Sequence, residues 1–339
     1  MQATFLRFHN AVLDRETNED FALAQQIVRW HYQWIVMHDF LPRIVGNTTY
    51  QKVVGGRGGT PELRVYEAKG RYAFIPVEFS VAAYRFGHSM VRPSYALNHI
   101  VRGPRPSDQP FGELTARFHR IPVFSVFDPP EELGNLNGFR ELPDFWAVDW
   151  GFFFDGVTPD SPPDGAVLPQ PSYRIDTALV DPLVSLPDHL KEQVPARRAL
   201  ATLNLLRGWR MGLPSGQAVA HHMGLDALSD QDLFDSAEPE RKEARAALLA
   251  QHGEIFEDNC PLWFYILREA ELLHEGEHLG PVGGTIVAEV LAGLIMEDGH
   301  SFLSQWPTWR PTLPGAESGH FTIADMINFT NSGAEAAVA

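Results

Sequence analysis

Apolar residues recur at three- and four-residue steps along much of the chain, the spacing of an amphipathic helix. The clearest run is Phe21, Ala24, Ile27, Val28, His31, Trp34, Ile35 and His38, which predicts a helix over 19–38. A helix over 3–13 precedes it. Leu41-Pro42 is expected to end the second helix, because proline restricts the residue before it. Residues 46–70, rich in Gly, Thr and charge, read as loop. A third helix is predicted over 76–92, with Pro76 in its first turn and Pro93 beyond its end. From 101 to 172 the chain is Pro- and Gly-rich, and irregular connections around short helices are expected. Further helices are predicted over 174–186, 194–206, 240–250, 258–274 and 283–296. Strand alternation is scarce and no internal repeat occurs. The expected fold is mainly α, as one domain over 1–330 followed by a frayed tail at 331–339.

Composition narrows the function. The 339 residues are 44% apolar and 21% charged, which is globular composition with enough apolar surface for a core. A net charge of −16 with scattered Lys and Arg argues against nucleic acid as a partner, since phosphate contacts need clustered cations. Cys260 is the single cysteine, so no disulfide can form within the chain. No apolar run reaches the length of a membrane span. Met1–Arg7 lacks the basic-then-apolar layout of a signal peptide, which leaves both cytoplasm and export open.

The densest chemical signal is Ala83-Tyr84-Arg85-Phe86-Gly87-His88-Ser89-Met90. Arg85 and His88, three residues apart on a helix, share a face. A haem needs an imidazole for its iron and cations for its propionates, and one helix could bring both to the same edge of the macrocycle. Gly87 has no side chain to hold a flat ring away. Read without its neighbours, an isolated helical histidine of this kind is more often a packed or surface residue. A second segment, Leu203-Asn204-Leu205-Leu206-Arg207-Gly208-Trp209-Arg210-Met211-Gly212-Leu213-Pro214, adds another cation, Arg207. Asn204, one turn earlier, could accept a hydrogen bond from the imidazole N–H that faces away from a metal and so fix the ring. Its bland alternative is a helix C-terminus with arginines over the last carbonyls.

Together these segments resemble the animal haem peroxidase family. Arg85-Phe86-Gly87-His88-Ser89 is similar to its Arg-aromatic-Gly-His-Thr proximal segment, and Asn204 and Arg207 to its downstream Asn-x-x-Arg before Gly-Leu-Pro. Phe8-His9-Asn10, His38-Asp39-Phe40-Leu41-Pro42, Leu279-Gly280-Pro281 and Ile286-Val287-Ala288-Glu289 continue the likeness in order along the chain, bacterial members included. The resemblance implies a mainly helical peroxidase-like fold holding haem. His88 would be the metal ligand, Asn204 its hydrogen-bond partner, and Arg85 and Arg207 the propionate partners. It implies hydrogen peroxide and a small-molecule organic or halide donor as substrates.

The sequence departs from the family at its start, which corresponds to the helix carrying His9-Asn10. The family's distal histidine and catalytic arginine, and most of its calcium ligands, precede that helix. The expectation is therefore a chain lacking the distal portion, with no catalytic residue assignable and calcium confined to a full-length protein. Two alternatives accompany the peroxidase reading: a fatty-acid dioxygenase of the same superfamily using a tyrosyl radical, with Tyr32 and Tyr84 present, and a non-catalytic haem-binding remnant.

Other motifs carry less. His274-Glu275-Gly276-Glu277-His278 spells a zinc-protease H-E-x-x-H, which requires an unbroken helix with both histidines on one face. Gly276, Gly280-Pro281 and Gly283-Gly284 predict a helix end there instead. His38-Asp39 reads as structural, His221-His222 as divergent neighbours, and the aromatic cluster from Phe145 to Phe154 as core.

Overall fold

The computed structural model describes residues 1–55, 60–68, 72–102, 120–124, 135–136, 141–157, 169–186, 199–315 and 317–332. Helix α1 (Gln2–Glu16) buries Phe8, Ala11 and Val12 against α2 (Phe21–Ile35) and the late helix α8 (Ile323–Asn331). The Asp20 carboxylate starts α2 by accepting the Leu23 amide at 3.0 Å. The stop expected at Leu41-Pro42 does not occur. The α2 helix opens into a π turn, Val36–Phe40, and runs directly into α3 (Leu41–Val53). The Leu41 amide donates to Val36 O, five residues back, and this wide turn makes room for the proline ring. Pro42 then sits in the first turn of α3, where its missing N–H loses no bond. Residues 46–53, expected as loop, are therefore helical.

Within α3 the helix kinks at Gly46, whose φ is +70°. A Cβ there would lie 2.4 Å from the His278 ring, so both backbone angle and space require glycine. The kink frees Ile44 O, which accepts the Leu279 amide at 2.8 Å. That bond leads the chain into α7 (Pro281–Glu297), which lies along α3 and buries Val282, Ile286, Val287 and Val290. Along with α6 (Leu262–His274), these helices form the centre of the core.

Within the segment 76–92 the helical part ends at His88, and it is not a regular α-helix. Glu78–Ala82 is a π turn and Ala83–His88 a 3₁₀ helix. The expected helix at 174–186 shrinks to one turn, Asp181–Val184. Helix α4 (Leu200–Arg210) overlaps the one expected over 194–206, whose first five residues lie outside the described ones. Helix α5 (Pro239–Phe256), α6 and α7 match their expected positions within a few residues. Helix α8 was not expected. Strand is confined, among the described residues, to an antiparallel pair, Ser94–Tyr95 with Ile121–Pro122. The expected tail lies almost wholly in 333–339, outside the described residues. Trp146 packs with Leu97, Val101 and Ile121 in a small second core, as expected for the aromatic cluster. No helix among the described residues is long and apolar enough to cross a membrane.

Candidate functional site

The 3₁₀ helix Ala83–His88 is pinned by its apolar side: Ala83 and Phe86 are buried, and Trp263 Nε1 donates to Arg85 O at 3.3 Å. The Ser89 hydroxyl closes the last turn on Phe86 O at 3.0 Å and accepts the Asp176 amide at 3.3 Å. Three residues make one turn of such a helix, so Arg85 and His88 are nearly eclipsed. The π turn immediately before it and the change of winding between the two set this alignment. An α-helix would have splayed the two side chains further apart.

Helix α4 approaches from the other side. Asn204 is its only buried residue, 1% exposed. A helix that buries a lone asparagine directs it at a specific polar partner, because an unpaired buried amide costs about 1–3 kcal/mol. The partners are the two residues singled out 116 and 119 positions earlier. Asn204 Nδ2 lies 2.8 Å from His88 Nδ1, and Arg85 Nη1 donates to Asn204 Oδ1 at 2.9 Å. Arg85 Nε also donates to Ser80 O in the π turn, at 3.1 Å.

The structure thus brings Arg85, His88 and Asn204 into one hydrogen-bonded chain, in a different sense from the one expected. Asn204 was expected to accept from the imidazole. Arginine has only donors, so it claims the amide oxygen and leaves the amide NH₂ to face the ring. Arg85, expected to pair with a propionate carboxylate, also donates to the asparagine.

Arg207, one turn after Asn204, is exposed, and its charge acts on Arg85. Burial, and then the Arg207 charge, lower the Arg85 pKa from its ordinary value. Burial, and then Arg85, lower that of His88, which keeps the imidazole neutral at pH 7. Neither Arg85 nor Arg207 has a carboxylate partner among the described residues. Two neighbouring cations without counter-charge favour an anionic ligand. A Cβ built on Gly87 meets no atom within 4 Å, so the backbone beside His88 is open to a flat group.

These features fit a haem: a neutral imidazole, two arginines for carboxylates and an unobstructed glycine at one edge. No cluster of three or more His, Cys, Asp or Glu capable of holding a metal ion occurs among the described residues. A single imidazole on a porphyrin metal needs no such cluster.

The other motifs resolve structurally. Helix α6 ends at His274, with Glu275 at φ +51° and Gly276 at φ +71°, so H-E-x-x-H lacks the continuous helix that zinc proteases use. The His274 and His278 rings meet at a tilt of 36°, their centroids 4.0 Å apart. Asp39, 6% exposed, accepts the Ile323 amide at 2.9 Å and Arg43 Nε at 2.8 Å, tying the π turn to the start of α8. His221 and His222 both lie exposed at a helix end. Tyr84 stacks on Phe79 at 4.6 Å and Tyr32 meets Phe5 edge-on at 5.2 Å, so packing accounts for both.

The fold is mainly helical and peroxidase-like. The sequence model described as Animal haem peroxidase matches residues 1–141. Among curated proteins, the chain is 27% identical over 224 residues to peroxidasin homolog pxn-2 of Caenorhabditis elegans, covering 63% of this chain and 14% of that one. It is 25% identical over 288 residues to thyroid peroxidase of Rattus norvegicus, covering 84% and 26%. Peroxidase A from Dictyostelium discoideum superposes with a TM-score of 0.57 over 96% of this chain and 53% of its own, at 18% identity, a likeness of fold. These likenesses support the animal haem peroxidase family, through a model match over residues 1–141 and curated relatives at 25% and 27% identity. It spans about a quarter or less of the length of these curated relatives, and about half of the structural neighbour. All three relatives carry peroxidase names, which does not favour the fatty-acid dioxygenase alternative.

Proposed function

We propose that this chain supplies the proximal half of a haem peroxidase centre, with His88 as the axial ligand. The supporting observation is the convergence of His88, Asn204 and two arginines without a carboxylate partner among the described residues, from segments more than a hundred residues apart. Asn204 engages Nδ1, so Nε2 is the nitrogen left for iron. Arg85 and Arg207 would hold the two propionates through charge-assisted hydrogen bonds. Asn204 would fix the rotation of the imidazole. The haem, once bound, supplies the iron at which hydrogen peroxide is reduced and a small organic or halide donor is oxidised. The protein's part on this side is binding, orientation and control of the ligand's basicity.

The test is peroxide-dependent oxidation of a phenolic donor by the purified chain loaded with haemin, compared with free haemin. A donor oxidation rate above that of free haemin, lost in His88→Ala, supports the reading. A rate equal to free haemin in both proteins contradicts it.

A further inference from the structure

One carboxylate oxygen of Glu289 is committed to structure and the other is not. Oε2 accepts the amides of Arg64, Val65 and Tyr66 at 3.0, 2.7 and 2.9 Å. Oε1 accepts no hydrogen bond among the described residues, and Glu289 forms no ion pair among them. The residue is nevertheless only 2% exposed. Buried polar atoms are ordinarily bonded, so this oxygen calls for a donor from outside the chain.

Glu289 lies where α7 meets the short helix Gly216–His222 and the segment 65–78, which together enclose a cavity of about 580 Å³. That is the size of a pocket for a small organic molecule. Its walls are apolar: Val219 and Met223 from one helix, Ile286 and Val290 from the other, and Phe74 between them. Phe74 is held in place by Tyr66, whose hydroxyl donates to Phe74 O at 2.9 Å and accepts its amide at 3.1 Å, with the two rings stacked at 5.6 Å. Thr285, four residues before Glu289, shares its face of α7 and also lines the cavity. Glu67, Glu78 and His222 complete the polar lining, and no Lys or Arg is found among the described residues that line it. A smaller cavity of about 180 Å³ shares Val65, Met223, Thr285 and Glu289 but adds Lys52 and Arg64. Those cations disfavour a positive ligand on that side. The larger cavity, lined by three carboxylates, favours one.

We propose that this cavity binds a primary organic ammonium with an aromatic body, its charged head on Glu289 Oε1 and its ring among Phe74, Met223 and Ile286. An ammonium carries three donors: one satisfies the carboxylate oxygen in a charge-assisted hydrogen bond, and a second reaches the Thr285 hydroxyl. Phe74 offers the ring an aromatic face and Met223 a polarizable one. Glu67 and Glu78 draw the cation in and repel an anion. A neutral aromatic of the same shape would fill the apolar walls but bring Glu289 no charge. The site is separate from the one described above, since neither His88 nor Asn204 lines it, and it does not depend on the reading of His88.

The test is calorimetric titration of the purified chain with three probes of one shape: 2-phenylethylamine, 2-phenylethanol and 3-phenylpropionate. At about pH 7.5 the amine is a cation and the acid an anion. The amine should bind saturably and roughly tenfold or more tighter than the alcohol, with no binding of the acid. Ala218, exposed at the cavity's edge, is the place to block it. Ala218→Trp should abolish amine binding while the circular dichroism spectrum stays native. Glu289→Gln keeps an oxygen for the three backbone amides but not the charge, and should weaken the amine roughly tenfold and bring it close to the alcohol. Absence of amine binding to the native chain, equal affinity for all three probes, or native affinity in Ala218→Trp would each overturn the proposal. Should Glu289→Gln fail to fold, the ranking of probes and Ala218→Trp still decide it.

Discussion

Asn204 and His88 are 116 residues apart in sequence and 2.8 Å apart at their side-chain nitrogens. Neither segment is fixed by the other through regular secondary structure; α4 brings its only buried side chain to the end of the 3₁₀ helix. Removing the amide leaves the ring free to rotate. Asn204→Ala is expected to change the redox behaviour of a haem-loaded chain more than its haemin affinity, since ligand basicity depends on this contact. A potential measured in native and variant proteins checks it. An unchanged potential together with lost affinity would assign Asn204 a merely structural role.

The two arginines should act on affinity. A hydrogen bond to a charged group contributes about 1.5–3 kcal/mol, so Arg207→Leu is expected to weaken haemin binding roughly tenfold to a hundredfold. Titration at low and high salt gives the comparison, and the native chain should lose more affinity with salt than the variant does.

Much of this was readable before the structure, and for a physical reason. Helical periodicity is a local property, so α2 and α6 follow from the spacing of apolar positions. The site residues came from motif order along the chain. The winding of residues 78–88 did not, because π and 3₁₀ turns carry the same apolar rhythm as an α-helix over so short a span. Pro42 misled in a similar way. The signal for a stop is genuine, but a π turn absorbs it. The Arg85–Asn204 bond lay beyond sequence reasoning altogether, since a spacing of 119 residues encodes no geometry. The clue available was that Asn204 accompanies two arginines, which can only donate.

Acid should loosen the fold through buried histidines. His31 is 0% exposed; its Nδ1 donates to Ile27 O at 2.7 Å and its Nε2 accepts the amides of Thr312 and Leu313. Burial lowers its pKa from 6.5 to about 4. The neutral ring is the folded form, so its contribution is complete above pH 6.5 and falls away as pH drops toward 4. The shift corresponds to roughly 3 kcal/mol. His38, held against Trp34 and bonded to Tyr50, is lowered to about 4 by burial, and then by Arg310 and His320, and acts in the same direction. These two histidines should make urea midpoints decline as pH drops below 6. His31→Gln should flatten the decline by about one proton's worth.

Glu289 should matter for stability. It is 2% exposed, and one carboxylate oxygen accepts the amides of Arg64, Val65 and Tyr66 at 3.0, 2.7 and 2.9 Å. Glu289→Ala strips three donors of their acceptor, at an expected cost of about 2–4 kcal/mol. Glu289→Gln, which keeps an oxygen but not the charge, should lose about half as much, read from urea unfolding.

The decisive measurement is haemin titration of the purified chain, followed at the Soret band, with His88→Ala beside it. An imidazole–iron bond predicts a saturable, shifted Soret band in the native chain and loss of that axial ligation in the variant. The same spectrum from both proteins would contradict His88 as the ligand.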